Sequence, residues 1–267
     1  MELKLDKNLI NLHAIADSGQ CFRMNRAYSP QGQLYYDVYS ADKFVRVFAY
    51  VDHYSFDCID EEVDFWRNYF DLDTDYTSFF EKISESKDIF LNNAARYGKG
   101  LRILRQDFWE MLISFIISQN NSISRIKKIV ADFCRRFGKQ FSYHDEIHYT
   151  FPSREELAGI QIEDLQDLGL GYRDTYILNA CQCSSELIQP AEESLLQLVG
   201  VGPKVMNCVL LYGDHQIDRV PIDVWMKRIY DNVYGGTFDD SAYVGFKGFI
   251  QLLQFYYYRH LDGKLNE

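Results

Sequence analysis

Lys204 is the residue of this sequence whose position points most directly to covalent chemistry. It comes directly after Pro203, a residue that favours the first position of a helix. The first turn of a helix carries partial positive charge, and this field favours the neutral form of an amine, as does partial burial. A neutral amine can attack an electrophilic carbon. We therefore expect Lys204 to act as a nucleophile.

The turn before this helix, Gly200-Val201-Gly202, predicts contacts with phosphate groups. Its glycines let the backbone approach a ligand closely. The N–H donors of Gly200, Gly202 and Val205 near the helix start would then bind an anion without sequence preference. The alternative is an ordinary tight turn between packed helices, and the turn taken alone favours that alternative.

Asp223 supplies a carboxylate at the predicted start of a later helix, after Val220-Pro221-Ile222. A carboxylate in this position can stabilise positive charge that develops during a reaction. It can equally cap the helix by accepting a hydrogen bond from a backbone N–H. The two roles do not exclude each other, so Lys204 and Asp223 are the predicted catalytic pair.

The composition indicates a reduced intracellular protein with a packed core. Hydrophobic residues make up 47% of the 267 residues, and the net charge is −11. This charge argues against a surface coated with lysines, so any nucleic acid would be held through a few placed contacts. The six cysteines form no CxxC pair, which disfavours a zinc ribbon or an iron–sulfur cluster. No signal peptide or membrane span is predicted.

The hydrophobic pattern changes along the chain from a period typical of strands to one typical of helices. Strands are predicted at Leu34–Tyr39, Phe44–Val51 and Tyr54–Ile59. From Asp107, a predicted N-cap, the pattern is helical, and Gly138 is predicted to end the second helix. Further helices are predicted at Arg154–Leu168, Thr175–Ile188, Ser194–Leu198, Lys204–Tyr212, Val224–Tyr234 and Tyr243–His260.

These elements predict an α+β fold with two domains. Residues 1–92 would form a small antiparallel sheet domain, and residues 93–267 would form a larger all-α domain that carries the helix-hairpin-helix. The N-terminal sheet has either a purely architectural role or a share in the site.

The hairpin, the lysine and the Val-Pro-x-Asp sequence resemble the HhH-GPD superfamily of DNA glycosylases, and the lysine resembles its bifunctional members. Four further segments are similar to elements of the 8-oxoguanine DNA glycosylases, and together with the hairpin they span most of the chain. They are SGQCFR at 18–23, ISQNNSISR at 117–125, LGLGYR at 168–173 and GFIQLLQF at 248–255.

The resemblance implies a set of residues that recognise an oxidised guanine. The Gly19 carbonyl would accept a hydrogen bond from N7–H, a donor that guanine lacks, so the wrong base leaves a buried group unsatisfied. Gln251 would read the pairing edge of the base. Phe255 would stack on one face of the ring, and Cys208 would pack on the other face. Each of these could instead be an ordinary core or turn residue.

The resemblance also implies residues that enter the DNA duplex and contact the unpaired cytosine when the damaged nucleotide is extruded. Asn120 would fill the vacated space, Tyr172 would insert as a wedge, and Arg125 and Arg173 would contact the orphaned cytosine. Without the resemblance, Asn120 would be taken for a helix cap, Arg125 for part of a solvated face, and Tyr172 for an aromatic residue at a helix start.

The chain departs from the family pattern at two positions. Met24 stands where the family usually has Trp. Trp225 stands where some members place a His near DNA phosphate, and this puts that contact in doubt, since an indole offers one donor and no charge.

The implied activity is excision of 8-oxoguanine opposite cytosine from duplex DNA, followed by AP lyase cleavage, with no cofactor. The hairpin carbonyls of Leu196, Leu198 and Val201 could hold a structural cation. The implied protein is a monomer that binds DNA and no membrane, in the cytoplasm and, in a prokaryote, associated with the nucleoid.

A monofunctional alkylated-base glycosylase of the same fold and a non-catalytic DNA-binding module stay open as alternatives. Lys204 argues against the former, and Lys204 with Asp223 against the latter.

Overall fold

The N-terminal part of the chain is built on one antiparallel sheet. A computed structural model describes residues 3–265, and side chains through residue 261. The five strands are ordered β1-β5-β4-β3-β2, and each pairs antiparallel with its neighbours. Their bounds are β1 Leu3–Asp6, β2 Met24–Tyr28, β3 Leu34–Ser40, β4 Lys43–Ala49 and β5 His53–Asp57.

Helices make up most of the remaining chain. They are α1 Leu12–Asp17, α2 Val63–Tyr69, α3 Tyr76–Ser84, α4 Ile89–Tyr97, α5 Phe108–Ser118, α6 Ile123–Phe137, α7 Arg173–Gln182, α8 Glu192–Leu195, α9 Pro203–Gly213, α10 Val224–Tyr234 and α11 Lys247–Leu265. Side chains cap several of these helices, and Asp107 accepts a hydrogen bond from the N–H of Glu110 as predicted. The end of α6 at Gly138 is also as predicted.

The helix α5 lies at the centre of the helical part. Every residue from Glu110 to Ile117 is buried, because α6, α7 and α9 all pack against this helix. A helix that is apolar on all sides requires such surroundings. Through this packing, α5 fixes the position of α9, which carries Lys204.

A hairpin that the sequence did not indicate connects the two parts of the fold. It consists of β6 Gln140–Tyr143 and β7 Glu146–Tyr149. Arg46 of β4 donates to the carboxylates of Asp37 and Glu146, and the ring of Phe44 packs 5.7 Å from that of Phe141. Because Arg46 is 93% buried and satisfied on both sides, it joins the hairpin firmly to the sheet.

The predicted fold class and the three predicted strands are confirmed, but one predicted helix is wrong. Residues 154–168 form successive turns and one short 3-10 segment, Ile162–Leu165. Asp164 accepts a hydrogen bond from the N–H of Gln161, and this capping interaction starts the 3-10 segment separately from the preceding turns. The helix predicted at Thr175–Ile188 runs from Arg173 to Gln182.

The N-terminal part contains more helix than the sequence predicted. The domain boundary predicted at residue 92 falls inside α4, so its location stays a prediction. The rings of Phe90 and Tyr97 pack against those of Tyr257 and Tyr256 on α11, so α4 belongs structurally with the helical core. The last two residues of the predicted second domain, 266 and 267, lie outside the described residues. Among the described helices, none has the length and apolar character needed to cross a membrane.

Asp71 anchors the loop after α2 to the loop that leads toward Asp223. Its buried carboxylate lies 2.7 Å from Nε of Arg105 and 3.2 Å from Nε2 of His215, and it accepts a hydrogen bond from Tyr76. Burial opposes ionisation of Asp71, but the close His215 and Arg105 side chains outweigh it and hold the pKa of Asp71 well below its usual range. The ionised carboxylate therefore stabilises the folded state.

We expect Asp71→Asn to lower the free energy of unfolding at pH 7 by about 3 kcal/mol, because it leaves buried donors without an anionic partner. Asparagine tolerates the left-handed backbone at this position, where φ is 50°. Since the folded-state pKa lies below the unfolded-state pKa of about 4, this stabilisation is complete above pH 4 and is lost as the pH falls further. Urea unfolding of both proteins at a series of pH values measures it.

Asp73→Asn is the matched control. Asp73 is exposed and pairs with the half-exposed Arg67, so its neutralisation should cost less than about 1 kcal/mol. Equal costs in the two variants, or a cost at Asp71 that persists unchanged in acid, would contradict the assignment.

Candidate active site

Lys204 lies on the first turn of α9 with its side chain half-buried. Its Nζ is 3.5 Å from Oγ of Ser118 and 5.2 Å from the centroid of the Phe115 ring, both on α5. The aromatic ring and the hydroxyl hold the amine against α5 and aim it into the cavity described below. The predicted position at a helix N-terminus is confirmed.

Asp223 caps α10, and it also faces the same cavity as Lys204. Its Oδ1 accepts a hydrogen bond from the N–H of Met226 at 2.9 Å. This bond orients the carboxylate, and among the described residues no hydrogen bond is made to its other oxygen, Oδ2. The capping role and the catalytic role that the sequence left open are therefore geometrically compatible.

A cavity of about 230 Å³ brings together residues from distant parts of the chain. Four predicted site residues line it: Gly19, Lys204, Asp223 and Phe255. Its walls also include side chains that the sequence did not single out, namely Phe22, Phe115, Ser118, Asn121, Ser122, Ile123, Ile126 and Arg259, together with Trp225. An amine, a carboxylate, a backbone turn and an aromatic ring thus meet in one concave site.

Gly19 is confined between two side chains of the helical part. Its φ is +82°, and a Cβ at this position would lie 3.2 Å from Cδ1 of Ile123 and 3.3 Å from Cε1 of Phe255. Both the left-handed backbone and the close approach of Phe255 therefore require glycine. The backbone of Gly19 lies directly against the ring that is predicted to stack on the base.

The residues after Gly19 hold this turn in place through buried hydrogen bonds. The Gln20 side chain, which is fully buried, donates to the carbonyl of Arg102 and accepts from the N–H of Leu104. Arg23 forms a buried ion pair with Glu110 of α5 at 3.2 Å. Burial raises the pKa of Glu110, while the positive charge of Arg23 opposes this shift. The motif is thus a structural joint as well as a turn.

Gln251 and Phe255 lie one turn apart on α11, as predicted. Phe255 lines the cavity, whereas Gln251 is 6% exposed and lies outside its lining. The Oε1 atom of Gln251 is buried and has no hydrogen-bond partner among the described residues. A buried amide oxygen without a partner is rare in folded proteins, and it is what a group reserved for a ligand would present.

Cys208 is buried on α9, one turn after Lys204. Burial raises the pKa of the Cys208 thiol; the amine of Lys204 lowers it and the carboxylate of Asp223 raises it further. Cys208 follows Lys204 by four residues, so the two side chains lie on the same face of α9. A thiol that stays protonated is a small apolar surface, which suits packing against a base.

Asn120 and Tyr172 are presented to solvent on two neighbouring loops. Asn120 is exposed and has a left-handed backbone with φ of 47°. Tyr172 is 50% exposed, and its ring packs edge-on against Tyr176 at 5.6 Å. Both side chains are accessible from solvent, as their predicted roles require.

The two arginines predicted to contact cytosine instead connect these loops to each other in this structure. Arg125 donates to the carbonyl of Gly169 at 3.2 Å. Arg173 is buried and donates to the carbonyls of Gln119 and Leu170. Contact with a cytosine stays a prediction for both, and for Arg173 it requires the guanidinium to leave these carbonyls.

The hairpin before α9 presents free backbone donors at the surface. Gly200 has φ of +82°, and a Cβ there would overlap the ring of Tyr176, so only glycine fits. Gly202 is the exposed N-cap of α9 and makes no side-chain capping bond, which leaves the first amides of α9 available to a phosphate. The third predicted donor, Val205, has a buried side chain, so its backbone N–H would make the contact.

The carbonyls proposed for a structural cation lie on the same hairpin. The Leu198 carbonyl already accepts a hydrogen bond from the N–H of Val201. A carbonyl oxygen has a second lone pair, so this hydrogen bond leaves Leu198 able to bind a cation, and the cation at Leu196, Leu198 and Val201 stays a prediction.

Sequence reasoning missed Arg259, and it noted Trp225 only as a departure from the family. Arg259 lies four residues after Phe255, so helical spacing alone would have placed both on one face. Its guanidinium lies 5.3 Å from the Phe255 ring centroid. Trp225 lines the cavity two residues after Asp223, and its ring contacts the Arg228 guanidinium at 5.1 Å.

A larger cavity of about 660 Å³ lies beside α3 and α4 and contains none of the predicted site residues. The smaller cavity is the candidate site because Lys204, Asp223 and the Phe255 ring meet there.

Comparison with known proteins gives a consistent family assignment. The family model for the N-terminal domain of 8-oxoguanine DNA glycosylase matches residues 2–112, and that for HhH-GPD superfamily base excision DNA repair proteins matches residues 113–243. An N-glycosylase/DNA lyase of Saccharomyces cerevisiae is 35% identical over 189 residues, which cover 62% of this chain and 50% of that protein. The matched segments span about half to two thirds of the length of such curated relatives.

Two solved structures resemble the chain over nearly its whole length. MBOgg1 in complex with a low affinity DNA ligand has a TM-score of 0.86 and 34% identity, covering 98% of this chain and 96% of that one. The 8-oxoguanine glycosylase/lyase of Clostridium acetobutylicum, bound to DNA with cytosine opposite 8-oxoG, has a TM-score of 0.84 and 29% identity, covering 96% and 93%. This chain belongs to the 8-oxoguanine DNA glycosylase family of the HhH-GPD superfamily.

Proposed function

We propose that this protein excises 8-oxoguanine opposite cytosine from duplex DNA and then cleaves the abasic strand as an AP lyase. The observation that carries the proposal is the single cavity lined by Gly19, Lys204, Asp223 and Phe255. It combines a nucleophile, a carboxylate, a selective carbonyl and a stacking surface. The similar 8-oxoguanine glycosylase/lyase of Clostridium acetobutylicum, solved with DNA that contains cytosine opposite 8-oxoG, supports the same substrate.

In the proposed reaction, the damaged nucleotide swings out of the helix into the cavity. The neutral amine of Lys204 forms a bond to C1′ of the sugar, and the bond from C1′ to the base breaks, with the electron pair leaving on the base. Opening of the sugar ring gives a Schiff base between Nζ and C1′. Loss of a proton from C2′ then expels the 3′ phosphate, and water releases the enzyme.

Asp223 would act by its negative charge during the first step. Positive charge develops on the sugar as the base departs, and a carboxylate held by the Met226 N–H stabilises it without having to reorient. The Gly19 carbonyl would select the oxidised base before this step. Guanine presents an acceptor at N7, so its entry would leave the carbonyl buried and unpaired.

We further infer that the protein acts on DNA as a monomer. Its location would be the cytoplasm and, in a prokaryote, the nucleoid. Lys204, Asp223, Gly19 and Phe255 meet within one chain, so the proposed reaction needs no residue from a second copy. Elution of the free and DNA-bound protein at the mass of one chain would agree with this inference; a stable dimer would contradict it.

Lys204→Gln is expected to abolish covalent trapping of a duplex that contains 8-oxoguanine opposite cytosine in the presence of borohydride, because no amine remains to form the Schiff base. Strand cleavage should fall at least about a thousandfold. Lys139→Gln removes a lysine that is exposed and outside the cavity, and it should trap as the unchanged protein does. Nicking that survives Lys204→Gln would rule out the lysine mechanism.

Asp223→Asn should slow single-turnover cleavage by about 100-fold or more and change the Kd for damaged DNA by less than about threefold. Asparagine caps helices as well as aspartate, so the variant removes the charge and keeps α10 in place. Rapid-quench kinetics and equilibrium binding separate the two effects. Equal losses of rate and affinity would reduce Asp223 to a structural cap.

DNA binding should depend only weakly on salt. For an acidic protein that binds through hairpin amides and a few side chains, the slope of log K against log salt concentration should be shallower than about −4. Fluorescence anisotropy between low and moderate salt measures this slope. A slope near −8 or steeper would require many phosphate contacts and contradict the few-contact interface.

A further inference from the structure

The short helix α1 ends at Asp17, two residues before Gly19, and two cations from the helical part cap its end. Nζ of Lys127 donates to the carbonyl of Ala16 at 3.0 Å, and the guanidinium of Arg259 donates to the carbonyl of Asp17 at 3.2 Å. The last carbonyls of a helix have no partner within the helix and carry partial negative charge. Cations are therefore the preferred partners at this end.

Lys127 also ties together the two ends of the turn that contains Gly19. The same Nζ donates to the carbonyl of Met24, again at 3.0 Å. Ala16 precedes the segment 18–23 and Met24 follows it, so one ammonium group holds both ends of the segment. Its position on α6 is fixed in turn by the buried side chains on either side, Ile126 and Ile129.

Arg259 connects the same turn to the aromatic wall of the cavity. Its guanidinium lies 5.3 Å from the Phe255 ring while it donates to Asp17, and it lines the cavity itself. Burial lowers the pKa of Arg259, and the carboxylates of Asp17 and Asp223 raise it. An arginine stays charged under such conditions, so this link does not depend on pH.

We propose that Lys127 and Arg259 are positioning residues that hold the Gly19 carbonyl at a fixed distance from Phe255 and thereby set the selection of oxidised over normal guanine. This inference rests on the proposed function. A carbonyl that selects by one hydrogen bond must be held within a fraction of an ångström. A displaced carbonyl neither accepts a good hydrogen bond from the oxidised base nor disfavours binding of guanine. Two cations from α6 and α11 supply that constraint, and we call the pair the α1 clamp.

The test uses Lys127→Met and Arg259→Met, which keep the length of the apolar stem and remove the donors, and Arg259→Lys, which restores a charge. Each protein is assayed in single turnover on a duplex with 8-oxoguanine opposite cytosine and on a duplex with a preformed abasic site. Abasic cleavage needs Lys204 but no base in the pocket. Excision of guanine from an undamaged duplex is measured alongside.

The α1 clamp predicts that the ratio of 8-oxoguanine excision to abasic cleavage falls about tenfold in each Met variant, and that Arg259→Lys recovers part of it. Lys128→Met is the matched control, since Lys128 is the next residue on α6, is 76% exposed and pairs with Asp132. It should leave the ratio within about twofold. Thermal unfolding of every variant separates loss of selection from loss of fold.

Two results would overturn the α1 clamp. One is an equal loss on both substrates, which would indicate general damage to the site. The other is an unchanged ratio in both Met variants with intact folding. An unaltered protein that cleaves neither substrate would instead refute the proposed function, so the two failures are distinguishable. If Arg259→Met does not fold, Lys127→Met and Arg259→Lys still decide the question.

Discussion

A backbone turn that is buried between two parts of a protein must have its polar groups satisfied, and the cavity of this protein depends on how that is done around Gly19. The fully buried amide of Gln20 bonds to the backbone of Arg102 and Leu104. These bonds dock the turn onto the segment that leads into α5. Because buried polar groups are costly when unpaired, the turn has one stable position, and this fixes the position of the Gly19 carbonyl.

Three helix ends converge on the cavity, and their fields differ in sign. The N-terminal ends of α9 and α10 carry Lys204 and Asp223, and both ends favour negative charge. The C-terminal end of α1, just before Gly19, favours positive charge and receives Lys127 and Arg259. Lys204 and Asp223 thus both lie at positive helix ends, whereas the cations Lys127 and Arg259 lie at a negative one.

The acidic character of the chain is compatible with a DNA interface built from backbone donors. The amides at the start of α9 are donors that could bind phosphate without adding a lysine to the surface. The loops that carry Asn120 and Tyr172 are held to each other by Arg125 and Arg173. Before DNA binds, these arginines therefore organise the protein, and the presentation of Asn120 and Tyr172 depends on them.

Much of the site could be predicted from the sequence because its signals are local. Pro203 and the glycines before it mark a helix start, and this places Lys204 on its first turn. Asp223 caps α10 through a residue three positions away. The helix predicted at residues 154–168 failed for a related reason: a capping bond to Asp164 overrode a helical hydrophobic pattern.

The sequence by itself determined which residues could do chemistry and which end of a helix each would occupy. The tertiary structure alone decided which of them meet. Arg259 donates to Asp17, a residue 242 positions earlier, and Gln20 bonds to a segment more than 80 positions away. Contacts of this range leave no trace in local periodicity, because they arise only when packing around α5 brings distant helices together and buried polar groups then select their partners.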